Sequence, residues 1–89
     1  MIYYDDDIKK NMTKGKIPKN IVKLFHNAFT ALDVTKDMNL FDIKKLQSES
    51  ETEYFRLRKG KYRAIFKLIN WDFYVLDIAK RAEVYRKWP

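Results

Sequence analysis

Four arginines and one tyrosine in the last third of the chain are the side chains best suited to chemistry. In chain order they are Arg56, Arg58, Arg63, Arg81 and Tyr85. A guanidinium group forms planar, bidentate contacts with phosphate oxygens that an ammonium group cannot form. A phenol can exchange a proton through its hydroxyl group or stack on a base through its ring. Such a set is suited to gripping a phosphodiester and to cutting it without a metal ion.

The net charge of the chain is concentrated in the same region. The 89 residues carry a formal charge of +7, and 46% of them are hydrophobic. Residues 1–53 contain nine Lys and nine Asp or Glu, whereas residues 54–89 contain ten Lys or Arg and three Asp or Glu. The whole excess of positive charge therefore lies in the last part of the chain. This asymmetry indicates a polyanion or an acidic protein as the partner.

The composition disfavours several kinds of site and location. The chain has no cysteine and a single histidine, so we expect no thiol nucleophile, no metal site and no cofactor. The first residues lack the basic and apolar regions of a signal peptide. No apolar run approaches the roughly 18–20 residues of a membrane span. We expect one soluble, cytoplasmic domain over residues 1–89, without a membrane partner.

Apolar periodicity and capping signals divide the first half of the chain into elements. The predicted elements are a strand at Met1–Tyr4, a helix from Asp5 to about Lys14, and a helix from Pro18 to about Val34. Asp5 can cap the first helix, and Gly15 is a suitable stop. We expect the two helices to form an antiparallel hairpin over one face of a sheet. Residues 35–53 are predicted to be irregular, with Ser48–Glu53 the most mobile part.

From Tyr54 onward the apolar residues recur at every second position, which predicts strands. The predicted strands are Tyr54–Arg58, Tyr62–Ile69 and Phe73–Ala79, followed by Lys80–Pro89 as a basic tail with one helical turn. Strict alternation puts Arg63 and Ile65 on one face of the sheet. It puts Asp77 on the same face as Val75. We expect one face to lie under the helices and the other to be free for binding.

The element order predicts an α+β fold. It consists of a short N-terminal strand and a two-helix antiparallel hairpin packed on an antiparallel β-sheet whose last three strands are consecutive.

Two motifs in the strand region resemble the RelE/ParE family of bacterial toxins. Leu57-Arg58-Lys59-Gly60-Lys61-Tyr62-Arg63-Ala64-Ile65-Phe66 is similar to the family's Leu-Arg-x-Gly-x-Tyr-Arg strand. Lys80-Arg81-Ala82-Glu83-Val84-Tyr85 is similar to its Lys/His-Arg-x-Glu-Val-Tyr terminus. Ile17-Pro18 resembles the family's Leu-Pro helix start, and Lys44-Lys45-Leu46 resembles its Lys-Leu segment. Because the predicted element order is also that of the family, the resemblance covers nearly the whole chain.

The resemblance implies the toxin of a type II toxin–antitoxin system, with an antitoxin protein as partner. RelE-like members cleave messenger RNA in the ribosomal decoding site, whereas ParE-like members inhibit DNA gyrase without a nuclease site. Arg81 and Tyr85 match a pair that ParE-like chains commonly lack, so the RNA-cleaving branch is favoured, with mRNA and the ribosome as further partners. Gyrase inhibition is the alternative. A relative that only binds RNA or an antitoxin is a third possibility.

The resemblance also implies roles for individual residues in a metal-independent cleavage by the 2′-OH of RNA. Arg63 is predicted to clamp the scissile phosphate, and Arg81 to stabilise or protonate the leaving group. Tyr85 is predicted to act as a general base or as a stacking platform. The cations predicted to bind the RNA backbone are Arg56, Arg58, Lys61, Lys80 and Arg86.

Overall fold

The computed structural model describes residues 1–46 and 51–88, leaving out the side chains of Tyr85 and Lys87. In chain order the elements are β1 (Ile2–Tyr4), α1 (Asp6–Thr13), α2 (Lys19–Thr35), a 3-10 turn (Met38–Leu40), β2 (Asp42–Lys45), β3 (Tyr54–Lys59), β4 (Tyr62–Ile69), β5 (Asp72–Lys80) and α3 (Arg81–Lys87). The described strands form one sheet in the order β1-β5-β4-β3-β2. No helix of the described residues is long and apolar enough to cross a membrane. Residues 48–50 of the segment predicted to be mobile lie outside the described residues.

The predicted α+β order is confirmed, with two corrections to the sheet. β3, β4 and β5 are consecutive and antiparallel, as expected. β1 pairs in parallel with β5, so the sheet is mixed rather than antiparallel. Asp42–Lys45 was predicted to be irregular and instead forms β2, an edge strand paired with β3. Four residues are too few to reveal a period of two, which explains the error.

The helices begin and end where local signals predict. The Asp5 carboxylate caps α1 by accepting a hydrogen bond from the Asp7 N–H at 3.0 Å. Pro18 lies one residue before α2, and α2 ends at Lys36 in the left-handed conformation, with φ +56°. The buried stripe of α2 packs on the sheet, where the Phe29 ring lies 5.1 Å from that of Phe66. This face of the sheet, covered by α1 and α2, is called the helix face.

A hydrogen bond between β1 and α2 involves the single histidine. The Tyr4 hydroxyl and His26 Nδ1 lie 2.8 Å apart. Burial raises the pKa of the Tyr4 phenol to about 12, so this group stays protonated at neutral pH. His26 therefore has a structural partner on the helix face.

A β-bulge in β5 determines which side chains reach each face beyond it. Val75 and Asp77 pair with consecutive residues of β4, so Leu76 is an extra residue between them. Alternation alone places Asp77 on the helix face, together with Val75. The bulge puts Ile78 there instead, at 1% exposure. The sequence-based placement of Asp77 was wrong because a regular period cannot reveal an inserted residue.

The opposite face of the sheet is called the outer face. It carries Ile65, Asp77 and the side chains that alternate in step with them along the strands. α3 contacts β4 and β5. Ile65 of β4 and Val84 of α3 are both buried. The Trp88 ring at the end of α3 lies 5.5 Å from Tyr54. The prediction that this face is free was therefore wrong in its middle, which α3 covers. The basic tail contains a helix of seven residues, Arg81–Lys87, which is longer than the one turn expected.

The bulged register predicts different losses of stability when two aliphatic residues of β5 are truncated. Ile78→Ala should lower the free energy of unfolding by about 2–5 kcal/mol, because it empties a fully buried site. Leu76→Ala, at the half-buried bulge position, should cost less than half as much. Urea unfolding of the two variants measures both values. A larger loss for Leu76→Ala would contradict the bulged register.

The β4–β5 hairpin places a tryptophan in an unfavourable backbone conformation. Asn70 and Trp71 have φ of +51° and +63°, as a two-residue type I′ turn requires. Glycine is the usual second residue, since a bulky side chain at positive φ is strained. The Trp71 ring lies 6.3 Å from Phe73, and the Lys36 ammonium lies 5.4 Å from its centre. These contacts offset the strain.

Two substitutions at Trp71 separate the backbone strain from the ring contacts. Trp71→Gly and Trp71→Ala both remove the ring, but only alanine keeps a Cβ at positive φ. We expect the alanine variant to be less stable than the glycine variant by about 1 kcal/mol. Thermal unfolding of both proteins tests this difference, and equal stabilities would contradict the left-handed turn.

Candidate nucleic-acid interface

The side chains of the outer face form rows that run across the strands. Residues paired directly on neighbouring strands project on the same side of the sheet, so the pairing register defines the rows. The described rows are the aromatic row Tyr3–Tyr74–Lys67–Tyr54, the middle row Asp77–Ile65–Arg56–Lys44 and the arginine row Ala79–Arg63–Arg58–Asp42. The predicted arginines of β3 and β4 therefore lie on one face, in adjacent rows.

Arg63, predicted to clamp a phosphate, is buried at 4% exposure. Its Nη1 atom donates to the carbonyl oxygens of Gly60 and Tyr62, each at 3.0 Å. Gly60 has φ +58° in the two-residue turn between β3 and β4, where glycine is favoured. The turn thus presents carbonyl groups that a buried cation needs. Arg63 is held rigidly at this end of the sheet, and its role toward phosphate stays a prediction.

Arg56 and Arg58 share a carboxylate from the edge strand. One Asp42 oxygen lies 3.7 Å from Arg56 Nη2, and the other lies 3.9 Å from Arg58 Nη1. The Arg56 side chain is only 13% exposed, whereas that of Arg58 is 54% exposed. Arg58 and Asp42 are both exposed, and an ion pair between such groups contributes little stability. Asp42 therefore orients the two guanidinium groups and lowers the positive potential that a polyanion would meet.

The start of α3 lies beside the turn that holds Arg63. The Arg81 N–H donates to the Lys61 carbonyl oxygen at 3.3 Å, and both side chains are exposed. Ala79, two residues before Arg81, pairs with Arg63. The structure thus brings Arg58, Arg63, Lys61 and Arg81 to one end of the sheet. The proximity depends on the order of β4, β5 and α3 rather than on spacing in the sequence.

Lys80 and Arg86 border a different feature, a cleft of about 260 Å³. Its walls come from β5 and α3 on one side and from Asn11 and Lys16 of the helix layer on the other. Asp77 and Glu83 also line it, so its charges are mixed. These two predicted RNA-binding residues therefore border the helix layer as well as the arginine end of the sheet.

Tyr85 follows the buried Val84 within α3. Its side chain lies outside the described residues, so its predicted roles as base or stacking platform stay predictions.

Sequence reasoning missed Asp42 and the aromatic row. Asp42, Ile43 and Lys44 alternate between polar and apolar, but the segment is too short for this pattern to predict a strand. Tyr3 and Tyr74 are far apart in the sequence and meet because β1 pairs with β5. A parallel contact between the two ends of a chain leaves no local signal.

Removing the Asp42 carboxylate should strengthen the binding of a polyanion. Two unit charges about 4 Å apart in water interact by about 1 kcal/mol, so Asp42→Asn should bind a short single-stranded RNA about fivefold more tightly at low salt. The unfolding free energy should change by less than about 1 kcal/mol. Fluorescence anisotropy and urea unfolding measure these quantities.

Asp6→Asn, in the helix layer, is the matched control because it makes the same change of charge. An equal gain of affinity in both variants would show that net charge alone is responsible, rather than the contact of Asp42 with the arginines.

Two solved structures resemble this chain along nearly its whole length. A chain of the RelB–RelE antitoxin–toxin complex from Methanococcus jannaschii matches with a TM-score of 0.72 and 20% identity, over 98% of this chain and 99% of that one. A chain of the archaeal RelE–RelB complex from Pyrococcus horikoshii OT3 matches with a TM-score of 0.69 and 20% identity, over 90% and 92%. No family model matches the sequence, and no curated protein is significantly similar to it. The RelE-like fold expected from the two motifs is thereby confirmed.

Proposed function

We propose that this protein is the toxin of a type II toxin–antitoxin system and that it cleaves messenger RNA, with the ribosome as the place of cleavage. The observation that carries the proposal is the convergence of Arg58, Arg63 and Arg81 at one end of a RelE-like sheet. The similar chains come from antitoxin–toxin complexes, which supports an antitoxin as partner. The basic last third of the chain supports an RNA substrate.

RNA supplies the nucleophile for such a cleavage. Its 2′ oxygen attacks the neighbouring phosphorus while losing its proton, and the bond from phosphorus to the 5′ oxygen breaks as that oxygen gains a proton. The enzyme must align these atoms and neutralise the negative charge that develops on the phosphoryl oxygens. A preorganised cation at such a position is typically worth about 3–4 kcal/mol, or 10²–10³ in rate.

The proposed site assigns a separate role to each of its residues. Arg63 is preorganised by the carbonyl groups of Gly60 and Tyr62, so little freedom remains to be lost when phosphate binds. Arg81 is exposed at the start of α3, and we assign to it the stabilisation of the leaving 5′ oxygen. Arg56 and Arg58 position the backbone on either side of the scissile linkage. Tyr85 accepts the 2′ proton or stacks on the neighbouring base.

Burial of Arg63 adds a condition to this function. A phosphate reaches its guanidinium group only when the side chains above it move, because 4% exposure leaves no surface for direct contact.

The test of the proposal compares two exposed cations. Arg81→Ala should lower the rate of mRNA cleavage on programmed ribosomes by about 10²–10³, the loss expected for one charge-stabilising group. Lys9→Ala, an exposed lysine of α1, makes the same change of charge in the helix layer and should cleave at the wild-type rate. Mapping of new RNA 5′ ends measures the cleavage, and far-ultraviolet circular dichroism confirms that both variants are folded.

If the Arg81→Ala variant cleaves mRNA at the wild-type rate, Arg81 has no role in the mechanism. If the wild-type chain leaves mRNA intact but inhibits supercoiling by purified gyrase, the gyrase-inhibiting alternative is correct.

A further inference from the structure

The aromatic row has an unusual composition for the outer face of a sheet. Two aromatic pairs flank a single lysine. The Tyr3 and Tyr74 rings are stacked, with centres 5.0 Å apart and planes at 15°, and the Tyr54 and Trp88 rings lie 5.5 Å apart. Lys67 pairs with both Tyr54 and Tyr74 across the strands, and its ammonium group lies 5.5 Å from the centre of the Tyr74 ring.

Tyr3 and Tyr74 lie outside the core of the helix face, and Tyr54 packs against Trp88 at the end of α3 instead. Tyr3, Tyr54 and Tyr74 are not members of the hydrophobic cluster formed by the described residues, whereas Tyr4, which projects to the helix face, packs against it. Tyr3 is 42% exposed, and the other two are half-buried. Aromatic rings that project from a sheet without entering a core form a surface on which another planar group can stack.

The position of the row fits the charge of the proposed site. Lys67 and Arg56 lie on the same face in adjacent rows, about 7 Å apart along the strands for a step of two residues. A strand of RNA whose backbone contacts Arg56 and Arg58 therefore has its next nucleotides beside the aromatic row. Single-stranded nucleic acids bind surfaces that combine such a basic track with aromatic rings.

Asp5 is an acidic group that borders the row. A cleft of about 240 Å³ beside Tyr74 and Lys67 is bordered by Asp5, whose carboxylate already accepts the Asp7 N–H in the cap of α1. Its remaining acceptor capacity suits the amino group of a base rather than a phosphate.

We propose that the aromatic row binds unpaired bases of the RNA strand that flanks the scissile linkage. A base stacks on the exposed ring of Tyr3 and so extends the Tyr3–Tyr74 pair. Lys67 contacts the adjoining phosphate. Stacking on such rings tolerates any base and requires an unpaired strand. The identity of the strand as RNA rests on the proposed function, but the stacking itself does not depend on cleavage.

The test uses two strands that lack a 2′-OH and therefore cannot be cleaved by the proposed mechanism. They are a labelled deoxyuridine dodecamer and an abasic deoxyribose-phosphate strand of equal length. The wild-type chain should bind the dodecamer at least about fivefold more tightly than the abasic strand, the gain expected from one stacked base. The double variant Tyr3→Leu, Tyr74→Leu should bind both strands equally, with its affinity for the abasic strand unchanged. The double variant Tyr3→Phe, Tyr74→Phe keeps the rings and should retain the preference.

Salt dependence separates the lysine from the rings. Lys67→Gln should weaken the binding of both strands alike and reduce the slope of log K against log salt by about 0.7, the value for one phosphate contact on a single strand. The leucine double variant should leave this slope unchanged. Thermal unfolding confirms that the compared proteins are folded.

If the wild-type chain binds the two strands equally, or binds neither, the proposal is wrong. The aromatic row would then be assigned to contact with a protein partner. A leucine double variant that retains the preference for bases would also overturn the proposal. Because neither strand carries a 2′-OH, a chain that fails to cleave mRNA yet shows the base preference would contradict the nuclease and not this surface.

Discussion

Burial of β4 on both faces is the constraint on which the arrangement of this protein depends. Four consecutive residues, Arg63–Phe66, are at most 4% exposed, whereas a strand at the surface of a two-layer fold would alternate. The helix layer covers Ala64 and Phe66. The outer face needs a second cover, and α3 supplies it over Ile65. The short C-terminal helix is therefore part of the hydrophobic packing as well as the bearer of proposed functional residues.

The same burial divides the cations into two kinds. Arg63 is desolvated and held by backbone carbonyl groups, so its charge is fixed in position but covered. Arg58, Lys61 and Arg81 are exposed and can reorient. A site built in this way has one rigid centre of charge surrounded by adaptable ones.

The sequence predicted the elements with strong local signals and missed those that depend on distant contacts. The periodic helix α2, the strands β3 to β5 and the Gly60 turn follow from spacing and from single residues with special backbone requirements. β2 was missed because it is four residues long, and the parallel pairing of β1 with β5 has no local signature. The strand arginines were predicted as a group because alternation fixes their face. The burial of Arg63 was not predicted, since the alternation of a strand does not show what covers each face of the sheet.

The extra residue in β5 has a consequence for how related chains can differ in length. Removing Leu76 leaves every remaining pair of β4 and β5 intact, because the residues on either side already face consecutive partners. Loss of any single residue between Ile78 and Lys80 would instead reverse the orientation of the side chains that follow. Alignments of divergent relatives should therefore admit a one-position gap at this site, and a shorter homologue with such a gap would keep the same interior.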